Sequence, residues 1–160
     1  MALSRPRDPR TVVLLVQQNR DDREMYAEFL RYRRLRPVIA LTVGEALELA
    51  PTASVIVTDV ALPNGGDGLE FIAQVRRRPQ TATTPIIVLT ATLLTPEQQR
   101  VVESVCDGFL RKPCLPGMLV REMRRVLAAT RVGAAKPNPA GVEPQTEESR
   151  RSRSGSRRSR

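Results

Sequence analysis

The stretch VIVTDVALPNGGDGLEFI, residues 55–72, decides the fold that we expect for this chain. It begins with four β-branched residues, as is typical of a strand buried on both faces of a parallel sheet, and the strand leads directly into Asp59. The polar, glycine-rich residues 62–68 predict a loop, and apolar residues at helical spacing predict a helix over 69–77. The stretch therefore predicts a strand, a loop and a helix, with a carboxylate at the carboxyl end of the strand.

The same alternation of apolar runs and helical patterns extends outward over the rest of residues 11–130. TVVLLV (11–16) and PIIVL (85–89) are further continuous apolar runs. Five strands that alternate with five helices favour an α/β domain with a doubly wound, five-stranded parallel sheet. The predicted strands are 11–16, 37–41, 53–58, 85–89 and 108–111, and the predicted helices are 21–33, 42–50, 69–77, 96–106 and 115–130.

The composition excludes several classes of function. The chain contains no His, which excludes Ser-His-Asp and Cys-His catalysis and His-ligated zinc, and no Gly-rich phosphate loop follows the first strand. Its two Cys, Cys106 and Cys114, are too few for a tetrahedral zinc site and are interpreted as packing groups. No apolar run approaches the roughly 20 residues that span a bilayer, and residues 1–10 lack the apolar stretch of a signal peptide. We therefore expect a soluble, cytoplasmic protein that is not an enzyme and has no membrane partner.

The net charge of +9 lies mostly at the two ends of the chain. Residues 131–160 carry eight basic and three acidic groups, and RRSRSGSRRSR (150–160) contains six Arg and four Ser. Such a segment cannot bury apolar surface. We predict a flexible N-terminus over 1–10, one folded domain over 11–131 and a disordered Ser/Arg-rich tail over 132–160. The Arg run at 76–78 is interpreted as a solvated helix end.

Chemistry in such a fold gathers beyond the carboxyl ends of the strands. Asp59 follows the third strand, Thr90 the fourth and Lys112 the fifth. An Asp is a nucleophile for phosphoryl transfer, a Thr hydroxyl can bind a phosphoryl oxygen, and a Lys can neutralise the phosphoryl charge. The convergence of these three residues predicts phosphoryl chemistry on a carboxylate.

At these residues the sequence resembles the receiver domain of bacterial response regulators, the CheY-like domain with a flavodoxin-like fold. The stretches that carry the resemblance are VIVTDVALPNGGDGLEFI (55–72), PIIVLTA (85–91) and DGFLRKP (107–113), within about residues 10–130. The resemblance implies two-component phosphorelay signalling with Asp59 as the phosphoacceptor, Thr90 as the switch hydroxyl and Phe109 as the switch aromatic ring. It also implies that Lys112 contacts the phosphoryl group and that the bond from Lys112 to Pro113 is cis.

The sequence departs from the family at the acidic pair that binds Mg²⁺ beside the phosphoacceptor. Gln17 and Gln18 stand there, and Mg²⁺ is usually held by carboxylates. We expect this pocket to bind Mg²⁺ weakly or not at all, through Asp59 and the backbone of Ala61. Asp21 and Asp22 are better explained by capping of the next helix and by its dipole. Lys112 should then pair directly with Asp59 as its one carboxylate partner.

Two further differences concern the loop and the switch. The loop after Asp59 is one residue longer than the family pattern, with Gly65 and Gly66 making it pliable. The ring at position 109 is Phe, which leaves no hydroxyl unsatisfied when it turns inward. The inward rotamer and an active-like surface are therefore expected without phosphate.

These observations predict a stand-alone, atypical receiver, because the tail after Thr130 is too short and polar for an output domain. Its partners would be a sensor histidine kinase or phosphotransfer protein and a downstream protein that contacts the face of the fourth helix, fifth strand and fifth helix. Two alternatives remain. One is a pseudo-receiver interaction module that needs no phosphate. The other is a nucleic-acid binder that uses the Arg-rich tail, although no aromatic residue lies within 133–160 to stack bases.

Overall fold

The computed structural model describes residues 10–131. Apart from Arg10, the predicted N-terminal segment 1–10 and the tail 132–160 lie outside these residues. The strands are β1 (Val12–Val16), β2 (Arg36–Ile39), β3 (Val55–Thr58), β4 (Ile86–Thr90) and β5 (Gly108–Arg111). The helices are α1 (Arg20–Tyr32), α2 (Val43–Leu49), α3 (Gly68–Arg77), α4 (Pro96–Val105) and α5 (Pro116–Arg131), with short 3₁₀ turns at Ala50–Thr52 and Pro63–Gly65.

The five strands form one parallel sheet in the order β2-β1-β3-β4-β5. The predicted doubly wound α/β fold is therefore confirmed. The strand order reverses between β1 and β3, and in open α/β sheets the crevice at such a point is where ligands bind. Asp59 continues this part of the sheet, because its backbone N–H donates to the Val16 carbonyl at 2.9 Å.

Apolar side chains cover the sheet on both faces, which explains why its central strands are continuous apolar runs. Alternate residues of each strand point to opposite faces. Leu14, Val16 and Ile56 belong to the layer under α2, α3 and α4, whereas Val13 and Leu15 belong to the layer under α1 and α5. Among residues 10–131, no helix is long and apolar enough to cross a membrane.

Arg76 corrects the interpretation of residues 76–78 as a solvated helix end. Its side chain is buried at the amino-terminal edge of the sheet, and Nη2 contacts Asp107 Oδ2 at 2.9 Å. The guanidinium also donates to the carbonyls of Val105 at 2.9 Å, Thr84 at 2.7 Å and Ala82 at 3.2 Å. The planar fork of an Arg supplies enough donors for all these acceptors, so the side chain joins α3 to the carboxyl end of α4 and to the loops before β4 and β5.

The same carboxylate of Asp107 accepts the backbone N–H of Ile86 at 2.9 Å. Asp107 therefore lies between a buried cation and the first residue of β4. Arg77, next in sequence, is exposed and contacts Glu70 Oε1 at 3.3 Å. The dipole and solvation explanation holds for Arg77 but not for Arg76.

Arg76→Met should lower the free energy of unfolding by about 3 kcal/mol, because it leaves Asp107 unpaired and three carbonyls without their donor. Arg77→Met is the matched control, and its loss should stay within about 0.5 kcal/mol since exposed ion pairs contribute little. Chemical denaturation of the three proteins checks this. Equal losses for the two variants would contradict the buried network.

Candidate functional site

Three residues that the sequence singled out converge at the carboxyl edge of the sheet. Asp59 follows β3, Thr90 ends β4 and Lys112 follows β5. The backbone N–H of Lys112 donates to the Thr90 carbonyl at 2.9 Å, which continues the ladder between β4 and β5 past the end of β5. The parallel register thus brings the three side chains together, as predicted.

The carboxylate of Asp59 is buried, with 6% of the residue exposed. Its Oδ1 accepts the Thr90 hydroxyl at 2.6 Å and the backbone N–H of Val60 at 2.7 Å. Its Oδ2 lies 3.3 Å from Lys112 Nζ. One carboxylate oxygen is therefore held by two short hydrogen bonds, while the other has a single longer contact with a cation.

Lys112 is shared between two carboxylates, and the expectation that Asp59 is its one partner is wrong. Its ammonium lies 2.8 Å from Asp22 Oδ2, closer than to Asp59. The cap of α1 is instead Asn19, whose Oδ1 accepts the backbone N–H of Asp22 at 2.9 Å. Because Asn19 already provides the cap, the Asp22 side chain is free to turn toward the sheet edge. The direct pair of Lys112 with Asp59 is confirmed.

The two glutamines lie in different environments. Gln17 is fully buried, its Nε2 donates to the Leu89 carbonyl at 3.4 Å, and its Oε1 has no hydrogen-bond partner among the described residues. Gln18 is exposed. Arg23 Nη1 donates to the backbone carbonyl of Gln17 at 3.0 Å, which places a second cation at the end of β1.

The side-chain oxygen atoms at this site do not fit Mg²⁺, the ion that the family resemblance implies. Mg²⁺ is usually held by one or two carboxylates together with phosphate oxygens and waters. Here Asp59 and Asp22 share the ammonium of Lys112, and the two glutamines add no negative charge, so little net charge is left among the described residues to hold a divalent cation. Within residues 10–131, no group of three or more His, Cys, Asp or Glu could hold a metal ion. The weak binding through Asp59 and the Ala61 backbone stays a prediction.

The loop after Asp59 is ordered by a small antiparallel pairing of Ala61–Leu62 with Gly66–Asp67. The loop includes a tight turn in which Asn64 and Gly65 have φ of 60° and 74°. The sequence indicated the glycines but not this pairing. Asp67 then caps α3, because its Oδ1 accepts the Leu69 N–H at 2.8 Å.

Gly68 is a site residue that the sequence reasoning missed. A Cβ at this position would lie 2.1 Å from the Asp59 carbonyl oxygen and 2.7 Å from the Val60 backbone. Its N–H donates to the Val60 carbonyl at 2.7 Å. Only glycine allows the first turn of α3 to approach the end of β3 this closely, and the Asp-Gly pair before the helix was the available signal.

The side chains at the two switch positions, Thr90 and Phe109, contact the backbone and the core near them. The Thr90 hydroxyl, besides donating to Asp59, accepts the backbone N–H of Thr92 at 3.1 Å. Phe109 is half-buried on β5 and packs against the core layer that includes Val88 and Val102. The peptide bond from Lys112 to Pro113 is cis, as the resemblance implied.

Both cysteines are buried in the core, as their interpretation as packing groups requires. Burial raises the pKa of the Cys114 thiol. The carbonyl of Cys114 accepts the Tyr26 hydroxyl at 2.7 Å. Burial, together with the nearby Cys114 and Asp22, raises the pKa of Tyr26 to about 12, so this phenol remains protonated and fixes α1 to the segment after Lys112.

Comparisons with known proteins agree with this geometry. The phosphate regulon transcriptional regulatory protein PhoB of Escherichia coli is 30% identical over 117 residues, which is 72% of this chain and 51% of PhoB. The chain thus spans about half the length of that relative. The rice response regulator ORR5 is 28% identical over 118 residues, or 72% of this chain and 87% of ORR5.

Solved structures give the same result. The chemotaxis protein CheY4 of Vibrio cholerae superposes with a TM-score of 0.66 and 32% identity, covering 73% of this chain and 98% of CheY4. A putative response regulator from Chloroflexus aurantiacus superposes with a TM-score of 0.67 and 30% identity, covering 74% and 98%. The family model of the response regulator receiver domain matches residues 13–124. The chain therefore belongs to this family of two-component systems.

Proposed function

We propose that this receiver domain accepts a phosphoryl group on Asp59 and transmits the signal by protein contact, in the cytoplasm. Receiver domains are signalling modules that interact with histidine kinases or phosphotransfer proteins and with downstream targets. The observation that carries the proposal is the asymmetry of the Asp59 carboxylate. Thr90 and the Val60 N–H hold Oδ1, and among residues 10–131 the ammonium of Lys112 is the partner of Oδ2.

Oδ2 is the oxygen from which attack would start. A lone pair on Oδ2 forms the bond to phosphorus while the N–P bond of a phosphohistidine donor breaks, and the imidazole nitrogen keeps that electron pair. The product is an acyl phosphate on Asp59. Lys112, 3.3 Å from Oδ2, neutralises part of the charge on the transferred group.

A groove beside the site offers room for the donor protein. Its volume is about 630 Å³, and Asp22, Lys112 and Ala91 line it together with Met25 and Leu115. Met25 and Leu115 are 42% and 71% exposed. The ammonium that contacts Asp59 thus lies beside exposed apolar side chains, which a protein partner could cover.

The resting arrangement of Thr90 supports the view that phosphate adds little to the output surface. In the resembled mechanism a phosphoryl group draws in the Thr hydroxyl, and the aromatic ring fills the space that is left. Here the hydroxyl contacts the Asp59 carboxylate directly at 2.6 Å, and Phe109 is half-buried against the core. The surface of α4, β5 and α5 would then be binding-competent at rest.

The same contact favours the second candidate, an interaction module that works without phosphorylation. Such a module would use the same surface of α4, β5 and α5, and Asp59 would serve only as the acceptor that holds Thr90. The third reading, nucleic-acid binding by the Arg-rich tail, concerns residues outside the described part of the chain.

Asp59→Asn separates the first candidate from the second. We expect the native protein, incubated with phosphoramidate and with Mg²⁺ in large excess to offset its weak binding, to gain the mass of one phosphoryl group, and Asp59→Asn to gain none because an amide is not a nucleophile for this transfer. Intact mass spectrometry measures both. Asp67→Asn is the control and should be modified like the native protein. A native chain that stays unmodified would support the phosphate-independent module.

Restoring the acidic pair should strengthen Mg²⁺ binding. Two unit charges about 4 Å apart interact by about 4 kcal/mol at an effective dielectric of about 20, so Gln17→Asp with Gln18→Asp should lower the Kd at least about tenfold. Calorimetric titration with MgCl₂ checks this. Gln74→Asp with Gln80→Asp, which adds the same charge on and just after α3, should leave the Kd nearly unchanged. Tight binding by the native chain would overturn the expectation.

Thr90→Val tests whether the Thr90 hydroxyl sets the resting surface. Valine keeps the shape but cannot donate to Asp59, so the backbone amide resonances of Val102 and Phe109 should shift in the NMR spectrum. Thr90→Ser keeps the hydroxyl and should leave these resonances near their native positions. Asp59→Asn retains an acceptor oxygen for Thr90 and should behave like Thr90→Ser. Equal shifts in all three variants would exclude the hydroxyl as the cause.

A further inference from the structure

We propose that Asp22, on the first turn of α1, positions Lys112 and thereby supplies the second carboxylate that Gln17 and Gln18 do not provide. This role deepens the proposed function, since it concerns the lysine at the phosphoacceptor. It makes Asp22 a positioning residue, because it acts on Asp59 through Lys112.

The geometry identifies Asp22 as the nearer partner of the ammonium. Lys112 Nζ lies 2.8 Å from Asp22 Oδ2 and 3.3 Å from Asp59 Oδ2. The side chains of Lys112 and Asp59 are 10% and 9% exposed, whereas that of Asp22 is 33% exposed. The lysine is therefore tied from the solvent side by a carboxylate that the strand ends do not contribute.

The charge balance of the site changes with Asp22. The charges of Asp59 and Lys112 alone would sum to zero, and the ammonium would contact Oδ2 of Asp59 as its one carboxylate partner. With Asp22 the three groups carry one net negative charge, and the ammonium is divided between two acceptors. Oδ2 thereby keeps more of its charge and stays less obstructed, which attack on phosphorus requires.

The residues around the pair show that this role is specific to Asp22. Asp21 carries the same charge in the same turn but is exposed, and the helix is capped by Asn19 rather than by either Asp. Tyr26, one turn further along α1, bonds to the Cys114 carbonyl at 2.7 Å. This bond fixes the distance between α1 and the segment after β5. The distance from the Asp22 carboxylate to the Lys112 ammonium is therefore also held.

The chain contains only two lysines, Lys112 and Lys136, which makes the position of the ammonium directly measurable. A lysine side chain held by two carboxylates is less accessible to N-hydroxysuccinimidyl acetate than one held by a single carboxylate. The rate of acetylation at Lys112, followed by mass spectrometry of its peptide, reports on Asp22. Lys136 serves as the internal reference.

We expect Asp22→Asn to raise the acetylation rate of Lys112 several-fold relative to Lys136. Asp21→Asn removes the same charge from the neighbouring position and should leave that ratio unchanged. Asp22→Glu restores a carboxylate and should return the ratio most of the way to the native value. Equal ratios for Asp22→Asn and Asp21→Asn would overturn the proposal.

Phosphorylation of Asp59 by phosphoramidate gives the readout that a merely structural contact would not move. Asp22→Asn should slow it by about tenfold, because a misplaced or wholly paired ammonium hinders attack by Oδ2. Asp21→Asn should be phosphorylated at the native rate. An altered acetylation ratio with an unchanged phosphorylation rate would refute the positioning role. If the native chain takes no phosphoryl group, the proposed function fails, and the acetylation ratios alone then decide whether Asp22 positions Lys112.

Discussion

A buried carboxylate needs donors, and the arrangement of this domain follows from how Asp59 obtains them. Each donor comes from a different part of the fold: a backbone N–H from the turn after β3, a hydroxyl from the end of β4 and an ammonium from the segment after β5. The parallel register of β3, β4 and β5 is what brings these groups to one place. The site therefore depends on the register of the sheet, since a shift of register would also remove the hydrogen-bond donors of Asp59.

The parts of the domain that could be predicted are those in which one physical cause acts alone. β1, β3 and β4 are covered on both faces, so each is a continuous apolar run in the sequence, and the residues that follow them had to meet at one edge. Asp22 could not be assigned in the same way, because helix capping and the dipole already explained an Asp in that turn. The packing of α1 against the segment after β5 brings Asp22 to Lys112, and that packing leaves no pattern along the chain.

Arg76 and Gly68 are two further residues whose roles could not be predicted from local sequence. An Arg in the last turn of a helix satisfies the dipole whether it is solvated or buried, so the acceptors that surround Arg76 are visible only once α4 and the loops before β4 and β5 are in place. Gly68 follows from the packing of α3 on the end of β3, which is a distance between two backbones. Contacts of this kind depend on the tertiary arrangement and are absent from local sequence.

The Arg76 network has a mechanical consequence for α4. The carboxyl end of this helix is bound through the Val105 carbonyl, and the start of β5 is bound through Asp107. The other end of α4 begins at Thr95 and Pro96, on the chain that leaves Thr90. A displacement that starts at the Thr90 hydroxyl therefore reaches α4 at its capped amino-terminal end, and the helix would rotate about Val105 at its other end. The outer surface near Pro96 would travel farthest, and the surface near Cys106 would hardly move.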